Sequence, residues 1–228
     1  MKKALAIYAK EPVAGRVKTR LIPPLTPQEA ADLHRAMLGD VLARAAHLHG
    51  IDPWLFVADG GDGTRFPPEA HPLPCRTQKG IDLGLRMENT FRELFAAGYA
   101  EVAIIGSDSP DLPAAHIEAA FARLRAADVV YGPSADGGYY LIALRQVHEV
   151  LFRDIPWSSG AELELSLERA RAAGLTPALL PEWYDVDTPA DLERPGLVAA
   201  SNGAPRTREF LLARAGRPER KEAKVPEL

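Results

Sequence analysis

Val102-Ala103-Ile104-Ile105-Gly106-Ser107-Asp108-Ser109-Pro110-Asp111-Leu112 joins a short, wholly apolar run to a pair of carboxylates. A strand with one wet face alternates apolar and polar residues, whereas a strand covered by helices on both faces reads as continuous Val, Ile and Ala. Val102–Gly106 is of the second kind. In open α/β sheets ligands bind beyond the carboxyl ends of the strands, so Asp108 stands where a ligand is expected. Mg²⁺ and Mn²⁺ take hard oxygen donors and commonly use only one or two carboxylates, leaving room for phosphate and water. Asp108 is assigned to such a metal. Asp111 is assigned to capping the following helix.

Working outward, strands and helices alternate. Ala4–Ala9 reads as the first strand, and a polar loop runs from Lys10 to Pro24. Thr26-Pro27-Gln28-Glu29 supplies an N-cap, a proline at the first helical position and a capping-box glutamate in order. Leu33, Met37, Leu38, Val41, Leu42 and Ala45 then recur at helical spacing. Pro53–Ala58 is a second strand, closed by the turn-rich Asp59-Gly60-Gly61-Asp62-Gly63. Leu83, Met87, Phe91, Leu94 and Phe95 mark a helix ended by Gly98, and Ile117, Phe121 and Leu124 mark another. Asp128–Tyr131 and Tyr139–Leu144 are strands, Ala161–Ala173 a helix, and Pro177–Leu180 a strand. Thr188-Pro189-Ala190-Asp191 repeats the cap chemistry of the first helix, and Arg206–Ala215 is helical. This order predicts a three-layer α/β/α architecture with a mainly parallel sheet. One domain is expected over residues 1–200, with residues 201–228 forming a C-terminal helix and a charged tail expected to fray.

Composition narrows the function classes. With 46% apolar and 25% charged residues, the 228-residue chain has the profile of a folded soluble protein. A net charge of -4 gives no long-range attraction to nucleic acid or to an anionic membrane. No apolar run approaches the ~20 residues that span a bilayer, and Met1-Lys2-Lys3 opens no secretory signal. The single cysteine, Cys75, forms no disulfide within the chain. The expected location is the cytoplasm.

Chemistry-bearing residues follow several strands. Lys10-Glu11-Pro12-Val13-Ala14-Gly15-Arg16-Val17-Lys18-Thr19-Arg20-Leu21 places four cations within eleven residues after the first strand. Such a loop can offer cationic heads and backbone N–H groups to a phosphate chain. It lacks the glycine spacing of a Walker A loop and of a dinucleotide-binding turn. Asp136-Gly137-Gly138 lets the backbone approach a ligand closely and gives a carboxylate for sugar hydroxyls; a plain Asp-Gly turn reads the same way. Asp185-Val186-Asp187 alternates two carboxylates, and Asp187 can reach a metal shared with Asp108. The six histidines show no metal-ligand spacing, and Ser107, Ser109 and Ser134 have no nucleophile-elbow context.

Four of these segments, in this order, resemble the bacterial DUF2064 proteins: Lys10-x-Pro12-x-x-Gly15-x-Val17-Lys18-Thr19-Arg20-Leu21, Gly106-Ser107-Asp108-Ser109-Pro110-Asp111-Leu112-Pro113, Asp136-Gly137-Gly138-Tyr139-Tyr140 and Asp185-Val186-Asp187-Thr188-Pro189-x-Asp191-Leu192. The resemblance covers roughly Lys3 to Leu192. It implies a glycosyltransferase-A, or nucleotide-diphospho-sugar transferase, fold akin to molybdenum-cofactor and phospholactate guanylyltransferases. Carried over position by position, it implies that Lys18 and Arg20 meet nucleotide phosphates; Lys10, Gly15 and Thr19 of the same loop are assigned to the nucleotide with them. It further implies that Asp108 and Asp187 hold Mg²⁺ or Mn²⁺; Asp136, Gly137 and Gly138 are assigned to the second substrate from their own turn chemistry. Gln78 and Asp82 match a nucleotide-binding segment of the family, although Lys79 and Ile81 stand where that segment commonly has glycine.

Three functions fit these residues. The first is nucleotidyl transfer from a nucleoside triphosphate to a small phosphate or hydroxyl acceptor, with Lys18, Arg20 and Asp108 as the catalytic set. The second is glycosyl transfer from a nucleotide sugar at the same site. The third is a non-catalytic nucleotide-binding or partner-docking module.

Overall fold

The computed structural model describes residues 1–58 and 65–216. The turn expected at Asp59–Gly63 and most of the expected tail lie outside the described residues. Seven strands form one sheet: β1 (Lys3–Ala9), β2 (Asp52–Val57), β3 (Cys75–Thr77), β4 (Glu101–Ile105), β5 (Val129–Pro133), β6 (Tyr139–Leu144) and β7 (Pro177–Leu179), in the order β3-β2-β1-β4-β6-β5-β7. All neighbours run parallel except β6, which pairs antiparallel with both β4 and β5.

Alternation along each central strand feeds two cores. Leu5, Ile7 and Ala9 of β1 and Ala103 and Ile105 of β4 face one side, under α1 (Pro27–Ala46) and α3 (Ala114–Arg123). Ala4, Ala6, Val102 and Ile104 face the other, under α2 (Leu83–Ala96) and α4 (Glu162–Ala172). Both faces are therefore dry, which is why β4 carries no polar side chain between Val102 and Ile105. The architecture is the three-layer sandwich that the alternating elements predict.

A third apolar cluster positions the site. Leu21 and Leu25, from the basic loop, pack with Leu33 and Met37 of α1, with Val186, and with Leu197 of the short helix α6 (Pro195–Val198). The capping box is formed: Thr26 Oγ1 accepts from the Glu29 N–H at 3.2 Å, and Glu29 Oε2 accepts from the Thr26 N–H at 2.9 Å. A second box, between Thr188 and Asp191, opens α5 (Pro189–Leu192). Helix α7 (Pro205–Ala215) is fixed to α1 by buried Asp40, which accepts from the Thr207 N–H and hydroxyl at 2.8 Å each. The basic loop and the 183–187 segment are thus both anchored by burial before any polar contact is counted.

Candidate active site

The carboxyl ends of β1, β4, β5 and β7 lie along one edge of the sheet, and antiparallel β6 starts there. The segments that follow those ends meet around Lys18. Its Nζ donates to Asp108 Oδ1 at 2.6 Å, to Asp187 Oδ1 at 2.7 Å and to the Val186 carbonyl at 2.8 Å. The Val186 N–H in turn donates to the Asp108 carbonyl at 2.9 Å. Three remote stretches of chain are tied at one nitrogen.

This arrangement gives Lys18 a structural task that the sequence did not show, beside the phosphate role read for it there. An ammonium has three N–H donors, and here all three are spent on protein acceptors. Only 4% of the side chain is exposed, against 41% for Asp108 and 40% for Asp187. The carboxylates are therefore partly open to solvent and the lysine lies beneath them. Burial pulls the Lys18 ammonium down, but Asp108 and Asp187 outweigh it and raise its pKa above the ordinary value. For Asp108, burial pushes the carboxyl up while Lys18, with help from His34, brings it below its usual range. Two carboxylates share one cation, leaving an excess of negative charge on their solvent side.

The exposed cations are elsewhere on the same loop. Lys10, Arg16, Thr19 and Arg20 are all exposed, Arg20 on a single 3-10 turn formed by Thr19–Leu21. Among the described residues the Arg20 side chain has no hydrogen bond or ion pair. Gly15 has φ +76°, the left-handed region that suits glycine, and open space where a side chain would go.

Other candidates have local duties. Asp82 is the N-cap of α2, its Oδ1 accepting from the Leu85 N–H at 2.8 Å. Gln78 ties β3 to β2, its Nε2 donating to the Phe56 carbonyl at 2.9 Å. Ile81 is 91% exposed. Asp136 accepts from the Gly138 N–H at 3.0 Å, the plain turn that its neighbours allow. Gly137 has φ +89°, and a Cβ there would lie 2.0 Å from the Gly160 carbonyl oxygen, so its close approach is to backbone of the same chain. Asp111 does not cap α3, whose N-cap is Pro113. It is buried and accepts from Trp183 Nε1 at 3.2 Å and from the Tyr184 hydroxyl.

Asp185 and His34 complete the cluster without having stood out as site residues in the sequence. Asp185 accepts from the Ser109 hydroxyl at 2.6 Å and the Ser134 hydroxyl at 3.1 Å. Burial, together with the charge of Asp108, raises its pKa to about 6. The alternation around buried Val186 was the available signal; the two serine partners, on the segments that follow β4 and β5, left none. His34, 3% exposed on α1, makes a 3.0 Å hydrogen bond from Nε2 to the Lys10 carbonyl. A carbonyl only accepts, so Nε2 carries the proton, and burial keeps the ring's pKa below its ordinary value. Its Nδ1 is buried without a partner.

A hollow of about 450 Å³ lined by Arg92, Phe95, Tyr99, Arg145, Gln146 and Val147 lies at the other end of the strands and carries none of these residues.

The donor set suits a divalent ion only in part. Asp108 and Asp187 already grip one cation between them, and both carboxylates remain about two-fifths exposed. Two oxygen donors with open space beyond suit a hard ion whose other ligands are phosphate and water. No cluster of three or more His, Cys, Asp or Glu that could hold a metal occurs among the described residues. The pair fits such an ion as part of a shared site with a polyphosphate, and it forms no closed cage.

A family model described as an uncharacterized protein conserved in bacteria (DUF2064) matches residues 41–159. A candidate nucleotide-diphospho-sugar transferase from Desulfovibrio desulfuricans G20 shares 28% identity with the chain at a TM-score of 0.78, covering 93% of this chain and 97% of that one. CMP:2-keto-3-deoxy-manno-octonic acid synthetase, in a structure with CTP, is 18% identical at a TM-score of 0.54 and covers 84% and 96%. Glucosyl-3-phosphoglycerate synthase from Mycobacterium tuberculosis, in a structure with Mg²⁺ and UDP, is 14% identical at 0.50 and covers 96% and 81%. The fold is that of the nucleotide-diphospho-sugar transferases. No match was found among curated proteins.

Proposed function

The chain belongs to the DUF2064 family, and from the site it carries we propose that it is a metal-dependent nucleotidyltransferase acting on a nucleoside triphosphate and a small phosphate or hydroxyl acceptor. The observation that carries this is the meeting of Lys18 with Asp108 and Asp187 at the carboxyl edge of the sheet, beside a loop of exposed cations. Asp108 and Asp187 would hold Mg²⁺ or Mn²⁺, which when bound supplies charge neutralisation to phosphate oxygens. Arg20, Lys10 and Arg16 meet the departing pyrophosphate by charge-assisted hydrogen bonds. Thr19 and the Gly15 backbone bound the phosphate path, and the acceptor rests on the Asp136–Gly138 side. No residue forms a covalent intermediate; positioning and electrostatics carry the rate. The reaction fits a nucleotide and a small molecule as partners, with neither nucleic acid nor membrane involved.

Glucosyl-3-phosphoglycerate synthase, in a structure with Mg²⁺ and UDP, shares the fold, so the same site admits a second reading, glycosyl transfer from a nucleotide sugar. Released product separates the two. Purified protein with Mg²⁺ or Mn²⁺, the common nucleoside triphosphates or nucleotide sugars, and a panel of phosphorylated and hydroxylated acceptors should release pyrophosphate in the first case and a nucleoside diphosphate in the second. Release of neither, together with no metal-dependent nucleotide binding, would leave a non-catalytic module.

A further inference from the structure

Lys18 occupies the carboxylate oxygens that the metal reading assigns to a divalent ion. The ammonium sits 2.6 Å from Asp108 Oδ1 and 2.7 Å from Asp187 Oδ1, the donors a metal would draw on. Lys18 is also held in a left-handed backbone conformation, φ 48° and ψ 38°, which side-chain-bearing residues rarely adopt. Strain of this kind persists where the surroundings over-determine it. Here the determinants are the turn that follows Lys18 and the three acceptors at its tip.

We propose that Lys18 is the resident counter-cation of this site: it keeps Asp108 and Asp187 together while no metal is bound, and a divalent ion must displace its ammonium to take both carboxylates. The inference rests on the metal reading above. Two carboxylates this close cannot both stay charged without a cation between them. An ammonium on a four-carbon stem provides one and can swing away. A divalent ion added beside the ammonium would meet a like charge at contact distance, so the two exclude each other. Metal alone then binds weakly, because it must strip Lys18 of three acceptors. A nucleoside triphosphate changes this balance: its phosphates give the metal further oxygen ligands and give the freed ammonium new acceptors. Metal and nucleotide therefore bind cooperatively, each raising the affinity of the other by the same factor. The phosphate duty read for Lys18 from sequence belongs to that displaced state.

The test is a Mn²⁺ titration of nucleotide-free protein, following free Mn²⁺ by electron paramagnetic resonance. Lys18→Met, which keeps the stem and removes the charge, should bind Mn²⁺ at least about tenfold more tightly than wild type, and adding Asp108→Asn should abolish the gain. Equal or weaker binding by Lys18→Met, with wild type binding normally, overturns the competition and leaves the metal reading intact. If neither protein binds Mn²⁺ with or without a nucleoside triphosphate, both fall. Should Lys18→Met fail to fold, wild type carries the test through trace acetylation read by mass spectrometry. Saturating Mn²⁺ should raise labelling of Lys18 several-fold relative to exposed Lys10, and unchanged labelling overturns the inference.

Discussion

Lys18 donates to Asp187 at 2.7 Å across 169 residues of sequence, and the same nitrogen holds Asp108. The hub is therefore the lysine, and the effects of mutation should rank accordingly. Asp187→Ala or Asp108→Ala leaves Lys18 with two acceptors, and both carboxylates are partly solvated, so each should cost about 1 kcal/mol. Lys18→Ala removes all three contacts and leaves two facing carboxylates without a cation, so it should cost more than either, about 2 kcal/mol. Urea unfolding near neutral pH in chelator measures the order. A milder loss for Lys18→Ala than for either aspartate variant would show that the lysine is not the hub.

Asp185 supplies a pH test. Its pKa is raised from 3.8 to about 6, so the folded chain holds this proton more tightly than the unfolded chain. Its stabilising contribution is thus fully present below about pH 4 and is lost as pH rises through about 6. Asp185→Asn keeps an oxygen for Ser109 and Ser134 but cannot ionise. It should be more stable than wild type above about pH 7, by up to roughly 2–3 kcal/mol, and no more stable at about pH 4. Thermal unfolding across that range in chelator reads the difference; a gap independent of pH would remove the buried-carboxylate account.

The layers were legible in the sequence because local chemistry and periodicity agreed. Thr26 and Glu29 announced α1 before its apolar stripe did, and Val102–Ile105 announced a strand dry on both faces. Strand β3 was not legible: Cys75-Arg76-Thr77 is short, lies on the sheet edge and is exposed throughout, so it has no burial pattern. The reversal of β6 was hidden because a doubly covered strand reads alike in either direction. At the site, it was readable that Lys18, Asp108 and Asp187 follow strand ends on the same side of the sheet. Their mutual neutralisation was not, since it depends on packing between segments held by Leu21 and Val186. The helix cap expected of Asp111 is absent for the same reason, since its partners, the Trp183 indole and the Tyr184 hydroxyl, are remote in sequence.

Gly137 and Gly15 separate packing from ligand approach. Both have positive φ, but a Cβ on Gly137 would lie 2.0 Å from the Gly160 carbonyl oxygen, whereas one on Gly15 meets nothing within 4 Å. Gly15→Ala should cost only about 1 kcal/mol of backbone strain. Gly137→Ala adds a clash with backbone and should cost roughly 3 kcal/mol or more. Chemical denaturation of the two variants side by side is sufficient. Equal, small losses would mean that the Gly137–Gly160 contact yields easily and that the glycine is kept free for a ligand.

Arg20 isolates binding from stability in a way Lys18 cannot. Its side chain is exposed and has no hydrogen bond or ion pair among the described residues, so Arg20→Ala should leave unfolding within about 0.5 kcal/mol of wild type. A charge-assisted contact to phosphate is worth roughly 1.5–3 kcal/mol, and each 1.4 kcal/mol is about tenfold in affinity. Loss of Arg20 should therefore weaken nucleoside triphosphate binding by about ten- to a hundredfold. Because the contact lies in open solvent, the difference between variant and wild type should shrink as ionic strength rises. Calorimetric titration with Mg²⁺ and triphosphate at two salt concentrations measures both effects. Unchanged affinity at low salt would mean that the phosphates do not run along the Thr19–Leu21 turn, and Lys10 and Arg16 would then be the cations to remove next.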